Sequence, residues 1–278
     1  MNLATRIALF CLVGGLGFTL LAMGAGHFGW WWLSGIVTAA ALAPVVRYGP
    51  RSMTAQFGAI FLVLVIVGLG CTLSEGALFF PQTRAQIVQT IAGGIVNSLI
   101  ESAVLVALAG VLRLANPASQ EIPSRPFATA ALMVLASAAS YVVYYLIFGS
   151  ITFLFFTKKY YPHATEQVAA LGLWFWGYQL ARGLLMTLAV VPVIYTLRLP
   201  RGQTALIVGL MIWIVGGAAP LLVPNGVMVA AQRSIHIVEI MTQNVSLGAT
   251  AVWLLRPKSR LATCSTHLTG AVHGDAGA

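Results

Sequence analysis

Charge is what this chain has least of. Asp, Glu, Lys and Arg make up 8% of its 278 residues, against roughly 25% in soluble domains. Only six residues are acidic. Long apolar runs take up nearly the whole length instead and leave no room for a separate soluble domain. The formal net charge of +9 does not point to nucleic acid, because the basic residues stand singly or in pairs at the ends of apolar runs, where topology signals fall. Cysteine is scarce too. Cys11, Cys71 and Cys264 are far apart and form no Cys-x-x-Cys, so neither a disulfide framework nor a metal site follows. Only His236 of the five histidines falls inside an apolar run. Bis-histidine haem ligation and a multi-histidine oxygenase site are therefore not expected. The chain has no P-loop and no Gly-x-Ser-x-Gly elbow, and no cofactor is expected.

What fills the chain is hydrophobic sequence: 59% of residues, with a mean hydropathy of +0.90. The runs read as an all-α integral membrane protein with eight spans, at about 5–25, 29–46, 56–75, 87–112, 127–149, 168–196, 204–223 and 234–255, each near the length of about 20 residues that a bilayer requires. Tyr48–Gly49–Pro50, Pro81, Asn116–Pro117, Pro162, Leu199–Pro200 and Pro224–Asn225–Gly226 separate them as turn or stop signals. Trp30 to Trp32 and Tyr160–Tyr161 stand where interfacial aromatic belts fall. The first run also resembles a secretory signal, but it is long for one and reads as a retained helix; its loss would leave seven spans. The stretch 127–156 is too long for one span, so the helix is expected to end near Gly149, with Ser150–Thr157 at the outer interface.

Lys and Arg counting sets the orientation. With both termini cytoplasmic in an inner membrane, Arg6, Arg47, Arg51, Arg113, Arg125, Arg198, Arg201, Arg256, Lys258 and Arg260 lie inside. Arg84, Lys158, Lys159 and Arg233 lie outside, and Arg182 is buried. Residues 1–256 form one polytopic domain and 257–278 a disordered tail. The segments opening at Arg47 and Arg198 echo each other from Pro50/Pro200 to Ala55/Ala205, which raises the prospect of a weak parallel repeat of four spans each, over 1–114 and 127–256.

The last run organises the polar residues. Gln232, His236, Glu239 and Gln243 recur at helical spacing and share one face. Such a stripe on a membrane helix must look toward other helices or a water-filled cavity. In the fourth span Thr90, Gly94, Asn97 and Glu101 share a face; in the sixth, Tyr178, Gln179 and Arg182 cluster. At about 1.5 Å per residue, Glu101 lies roughly 21 Å along its helix from Ile87 and Arg182 roughly 20 Å from Ala169. The two charges are thus expected to pair near the midplane, beneath an outer vestibule of His236, Glu239 and Gln243. One arginine cannot neutralise both Glu101 and Glu239, so a proton, a cation or protonated His236 must balance the layer. Glu75, at the outer end of the third span, reads as a solvated boundary residue.

These residues predict a multi-pass carrier of a small anionic solute, proton-linked, with a polar site between the fourth, sixth and eighth spans. Arg182 would hold the anionic group, and Glu101 or Glu239 would be the proton-linked carboxylate. Asn97, Gln179, Gln243, His236 and Tyr178 would orient the ligand. Two other classes stay open. One is an accessory or assembly subunit of a larger membrane complex, in which a buried Arg–Glu pair only fixes register. The other is an intramembrane lipid-modifying enzyme using His236 and Glu239 as an acid–base pair, although no nucleophile or metal-binding motif accompanies them. Expected partners are the bilayer and a small-molecule ligand, with homo-oligomer or larger complex undecided.

Overall fold

With no water to satisfy its amides, an apolar run in lipid must close its own backbone hydrogen bonds, and for a single segment that means a helix. The computed structural model describes residues 1–22, 26–50, 52–79, 83–115, 125–161 and 163–257. It is 87% helix, and no strand occurs among the described residues. Among the described residues, consecutive helical segments join into nine helices: α1 (Leu3–Leu21), α2 (Phe28–Tyr48), α3 (Met53–Leu78), α4 (Arg84–Val111), α5 (Phe127–Tyr160), α6 (Ala164–Leu171), α7 (Leu173–Thr196), α8 (Arg201–Leu222) and α9 (Ala230–Leu255). Seven of these, all but α6 and α9, are long and apolar enough to cross a membrane, which marks a multi-pass membrane protein. The polar stripe on α9 is what leaves that helix less apolar than those seven. The expected tail over 257–278 lies outside the described residues, except for Pro257.

The boundaries differ from the sequence reading in three places. α5 does not end near Gly149. It runs on to Tyr160 through wide π-turns at Tyr145–Gly149 and Phe153–Thr157, which let the helix continue while re-aiming its side chains. The run 168–196 is two helices, broken at Gly172, whose positive φ of 53° suits glycine. α3 continues past Glu75, after a π segment over Val63–Cys71, so Glu75 sits within the helix and not at its end. α8 carries a further π-turn at Ile214–Ala218.

Helices in lipid gain little from the hydrophobic effect and associate through close packing and hydrogen bonds. α1 packs along α2, α8 along α9, and α5 against both α7 and α9, while α3 contacts α4 and α7. Two glycine pairs set the closest approaches. A Cβ on Gly248 would lie 2.5 Å from the Gly209 Cα, and one on Gly35 would lie 2.5 Å from the Gly15 carbonyl. Only glycine fits there. Hydrogen bonds cross the same seams: Trp213 Nε1 donates to the Ile237 carbonyl at 2.9 Å, Asn244 Nδ2 to the Ile212 carbonyl at 3.4 Å, and the Tyr144 and Thr250 hydroxyls meet at 2.7 Å. Each is worth about 0.6 kcal/mol in a membrane. One end of the bundle gathers Arg6, Arg47, Arg113, Arg125, Arg198, Arg201 and Arg256. There Arg6 and Arg47 donate to the Arg113 and Leu114 carbonyls just past α4, and the Arg198 amide donates to the Tyr48 carbonyl at 2.9 Å.

Candidate functional site

The polar interior is built where α3, α5, α7 and α9 meet, in the halves away from the arginine-rich end. On α7, Gly183 makes the approach. A Cβ there would meet the Tyr141 Cβ at 2.7 Å and the Ala138 carbonyl at 2.8 Å, so its absence lets α5 close on α7. That closeness sets the Tyr141 ring under Arg182, with the guanidinium carbon 5.7 Å from the ring centre. Arg182 is buried, and its Nη2 lies 2.6 Å from Glu75 Oε2 on α3. One turn earlier on α7, the Tyr178 hydroxyl donates to Ser74 Oγ at 2.8 Å.

Arg182 is not used up by this pair. Its Nε and Nη1 are buried without a hydrogen-bond partner among the described residues, as are both amide atoms of Gln179 and the Tyr141 hydroxyl. Gln179 is 0% exposed. Unpartnered buried donors and acceptors of this kind cost about 1–3 kcal/mol each, so their concentration around one cation is a feature to be explained.

A second set lies on α9. His236 Nδ1 is 2.9 Å from Glu239 Oε2, and His236 Nε2 is 2.8 Å from the hydroxyl of Tyr161, just past α5. Gln243 Nε2 donates to Glu239 Oε1 at 3.2 Å. A neutral imidazole satisfies both contacts if Tyr161 donates to Nε2 and Nδ1–H donates to the carboxylate. Burial pushes the Tyr161 phenol up to about 12, against the pull of its hydrogen bond with Gln232, so it remains protonated at neutral pH. Gly149 flanks this set. A Cβ on it would stand 3.6 Å from both Gln243 Nε2 and Glu239 Oε1.

The two sets are neighbours. Tyr145 lies within electrostatic reach of Glu75, Arg182, Tyr141 and Glu239, and Glu75 within reach of His236 and Tyr161. The structure thus brings together Arg182, Gln179, Tyr178, His236, Glu239 and Gln243.

It does not bring Glu101 or its neighbour Asn97 to them. The expected Arg182–Glu101 pair is replaced by Arg182–Glu75. α4 packs on α1 and α3, and Glu101 lines an apolar cavity of about 240 Å³ with Gly14, Gly17, Phe18, Leu20, Leu21, Ile100 and Val104. It makes no ion pair among the described residues. Matched depth fixes one coordinate only, not the direction around the bundle. The path from Ala169 to Arg182 also crosses the break at Gly172, so a single helical rise does not give its depth. Glu75, Tyr141, Tyr145 and Tyr161 are the residues the sequence reading missed. Its signals were the face shared by Cys71 and Glu75, and tyrosines at helical spacing in an otherwise apolar run.

No three His, Cys, Asp or Glu side chains gather as a metal site among the described residues. Compared with known protein families, with curated proteins and with solved structures, the chain matches none.

Proposed function

We propose that this chain carries a small anionic solute across the membrane, with proton movement linked to it. The observation that supports this reading is Arg182, a buried permanent cation with two unpartnered guanidinium nitrogens, one carboxylate partner and an unpaired amide on the same face. A solute carboxylate can accept a charge-assisted hydrogen bond from either free guanidinium nitrogen. A second negative charge beside Glu75 would be unfavourable in a low-dielectric interior. Solute entry is therefore accompanied by a proton on Glu75, and release restores the ion pair. Tyr161, His236 and Glu239 form the proton path toward it, and Tyr178, Gln179 and Gln243 orient the solute. On this reading α9 is the eighth span. Both termini then lie on the arginine-rich cytoplasmic side of an inner membrane.

The Tyr161–His236–Glu239 series favours a second reading, an intramembrane enzyme acting on a lipid by acid–base chemistry. Proteoliposomes separate the two. With purified protein, an inward proton gradient and a panel of labelled mono- and dicarboxylates, the carrier reading expects uptake that Arg182→Ala abolishes. Glu75→Gln keeps binding but uncouples uptake from the gradient, and Glu101→Gln leaves both intact. Uptake that survives Arg182→Ala in monodisperse protein refutes the carrier. Lipid turnover lost in Glu239→Gln establishes the enzyme instead.

A further inference from the structure

Three guanidiniums gather where α9 ends. Arg125 Nε donates to the Leu255 carbonyl at 3.0 Å. Arg201 donates to the Trp253 carbonyl and lies over the Trp253 indole, 4.3 Å from its centre. Arg256, on the same turn as these carbonyls, is buried, and its Nη1 donates to Thr204 Oγ1 at 2.5 Å. The free carbonyls of a helix C-terminus attract cations, which accounts for one arginine there but not for three. Arg125 and Arg201 are close enough to repel each other.

No carboxylate among the described residues offsets them. Glu75, Glu101, Glu166 and Glu239 stand on α3, α4, α6 and the first half of α9, and none forms an ion pair with this cluster. Each arginine keeps guanidinium N–H groups beyond the bond that anchors it, and Arg201 Nε is buried with no partner among the described residues. The surroundings are apolar and open. Phe127, two residues from Arg125, is 89% exposed, and Trp253 is 51% exposed.

We propose that Arg125, Arg201 and Arg256 bind the phosphate headgroup of an anionic phospholipid, with its acyl chains lying against Trp253 and Phe127. The chemistry fits on both counts. Guanidinium forks match phosphate oxygens, and basic pockets between membrane helices hold anionic headgroups. The exposed aromatic side chains select a lipid over a free phosphate ion, which would gain nothing from them.

Native mass spectrometry of the detergent-purified full chain tests this. The probe is phosphatidylglycerol, with phosphatidylcholine as the neutral control and inorganic phosphate as the free-anion control. Phosphatidylglycerol is expected to be retained over phosphatidylcholine. The Arg125→Gln/Arg201→Gln variant should bind it about 25-fold more weakly, at about fivefold per arginine removed. Arg125→Lys/Arg201→Lys should keep most of the preference, and Arg84→Gln/Lys159→Gln, at the other end, should keep all of it. Arg201→Gln alone serves if the double variant aggregates. Equal retention of both lipids, unchanged binding in the glutamine variants, or displacement by millimolar phosphate would each overturn the proposal.

Discussion

Arg182 Nη2 stands 2.6 Å from Glu75 Oε2, while Nε and Nη1 of the same guanidinium have no hydrogen-bond partner among the described residues. The pair therefore does two things at once. It neutralises a cation that would otherwise be costly in the membrane interior, and it leaves donors in place for a second anion. A pair that only fixed helix register would be expected to fill its hydrogen bonds, because each one left open in a buried site weakens the fold.

The coupling can be separated from the chemistry. Glu75→Leu alone leaves a buried, uncompensated cation and should destabilise the protein by about 3 kcal/mol, the low end of the range for breaking a buried pair, since Glu75 is 29% exposed. Arg182→Met alone should cost a similar amount. The double variant, with both charges removed, is expected to regain most of that loss while binding no anion. Thermal unfolding of the four proteins in one detergent gives the cycle. Strictly additive losses would mean that the two charges do not interact.

Much of this was legible in the sequence, for identifiable reasons. Long apolar runs and scarce charge specify a helical membrane protein without any tertiary information, and the stripe Gln232–His236–Glu239–Gln243 survives because it lies on one uninterrupted helix. The error over Glu101 has another origin. Spacing along a helix gives depth, but which helices adjoin depends on side-to-side packing, here set by contacts such as Gly183 against Tyr141. π-turns added to the difficulty. The π segment just before Glu75 and the one at Tyr145–Gly149 both break the 3.6-residue period on which face assignments rest. Tyr161 lies outside every span, so no periodicity could attach it to His236.

Gly149 tests whether the packed seam between α5 and α9 lies on the solute route. An alanine Cβ would sit 3.6 Å from Gln243 Nε2 and Glu239 Oε1, ordinary contact distance. Gly149→Ala should be neutral or stabilise by up to about 1 kcal/mol through helix propensity. Gly149→Leu pushes further between the same two groups, at an overpacking cost of about 1–3 kcal/mol. In the carrier reading, proteoliposome uptake persists in the alanine variant and is lost in the leucine variant, although the latter still unfolds cooperatively. Equal uptake by both would place the solute route elsewhere.

Tyr161 offers a pH test whose sign follows from burial. Its phenol is pushed up from 10.0 to about 12 in the folded protein. Below pH 10 the folded and unfolded chains both hold the proton, and this residue contributes no pH dependence. Between pH 10 and 12 the unfolded chain releases the proton while the folded chain retains it, so stability must fall as pH rises. Above that window both forms are ionised, and the dependence from this residue ends. Lysines titrate in the same range, so the comparison is with Tyr161→Phe, which removes the phenol and leaves the lysines. Thermal unfolding across pH 10 to 12 should decline more steeply for the native chain than for the variant. Parallel curves would mean that Tyr161 is not shielded from water, and its hydroxyl would then be too freely solvated to hold His236 in one tautomer.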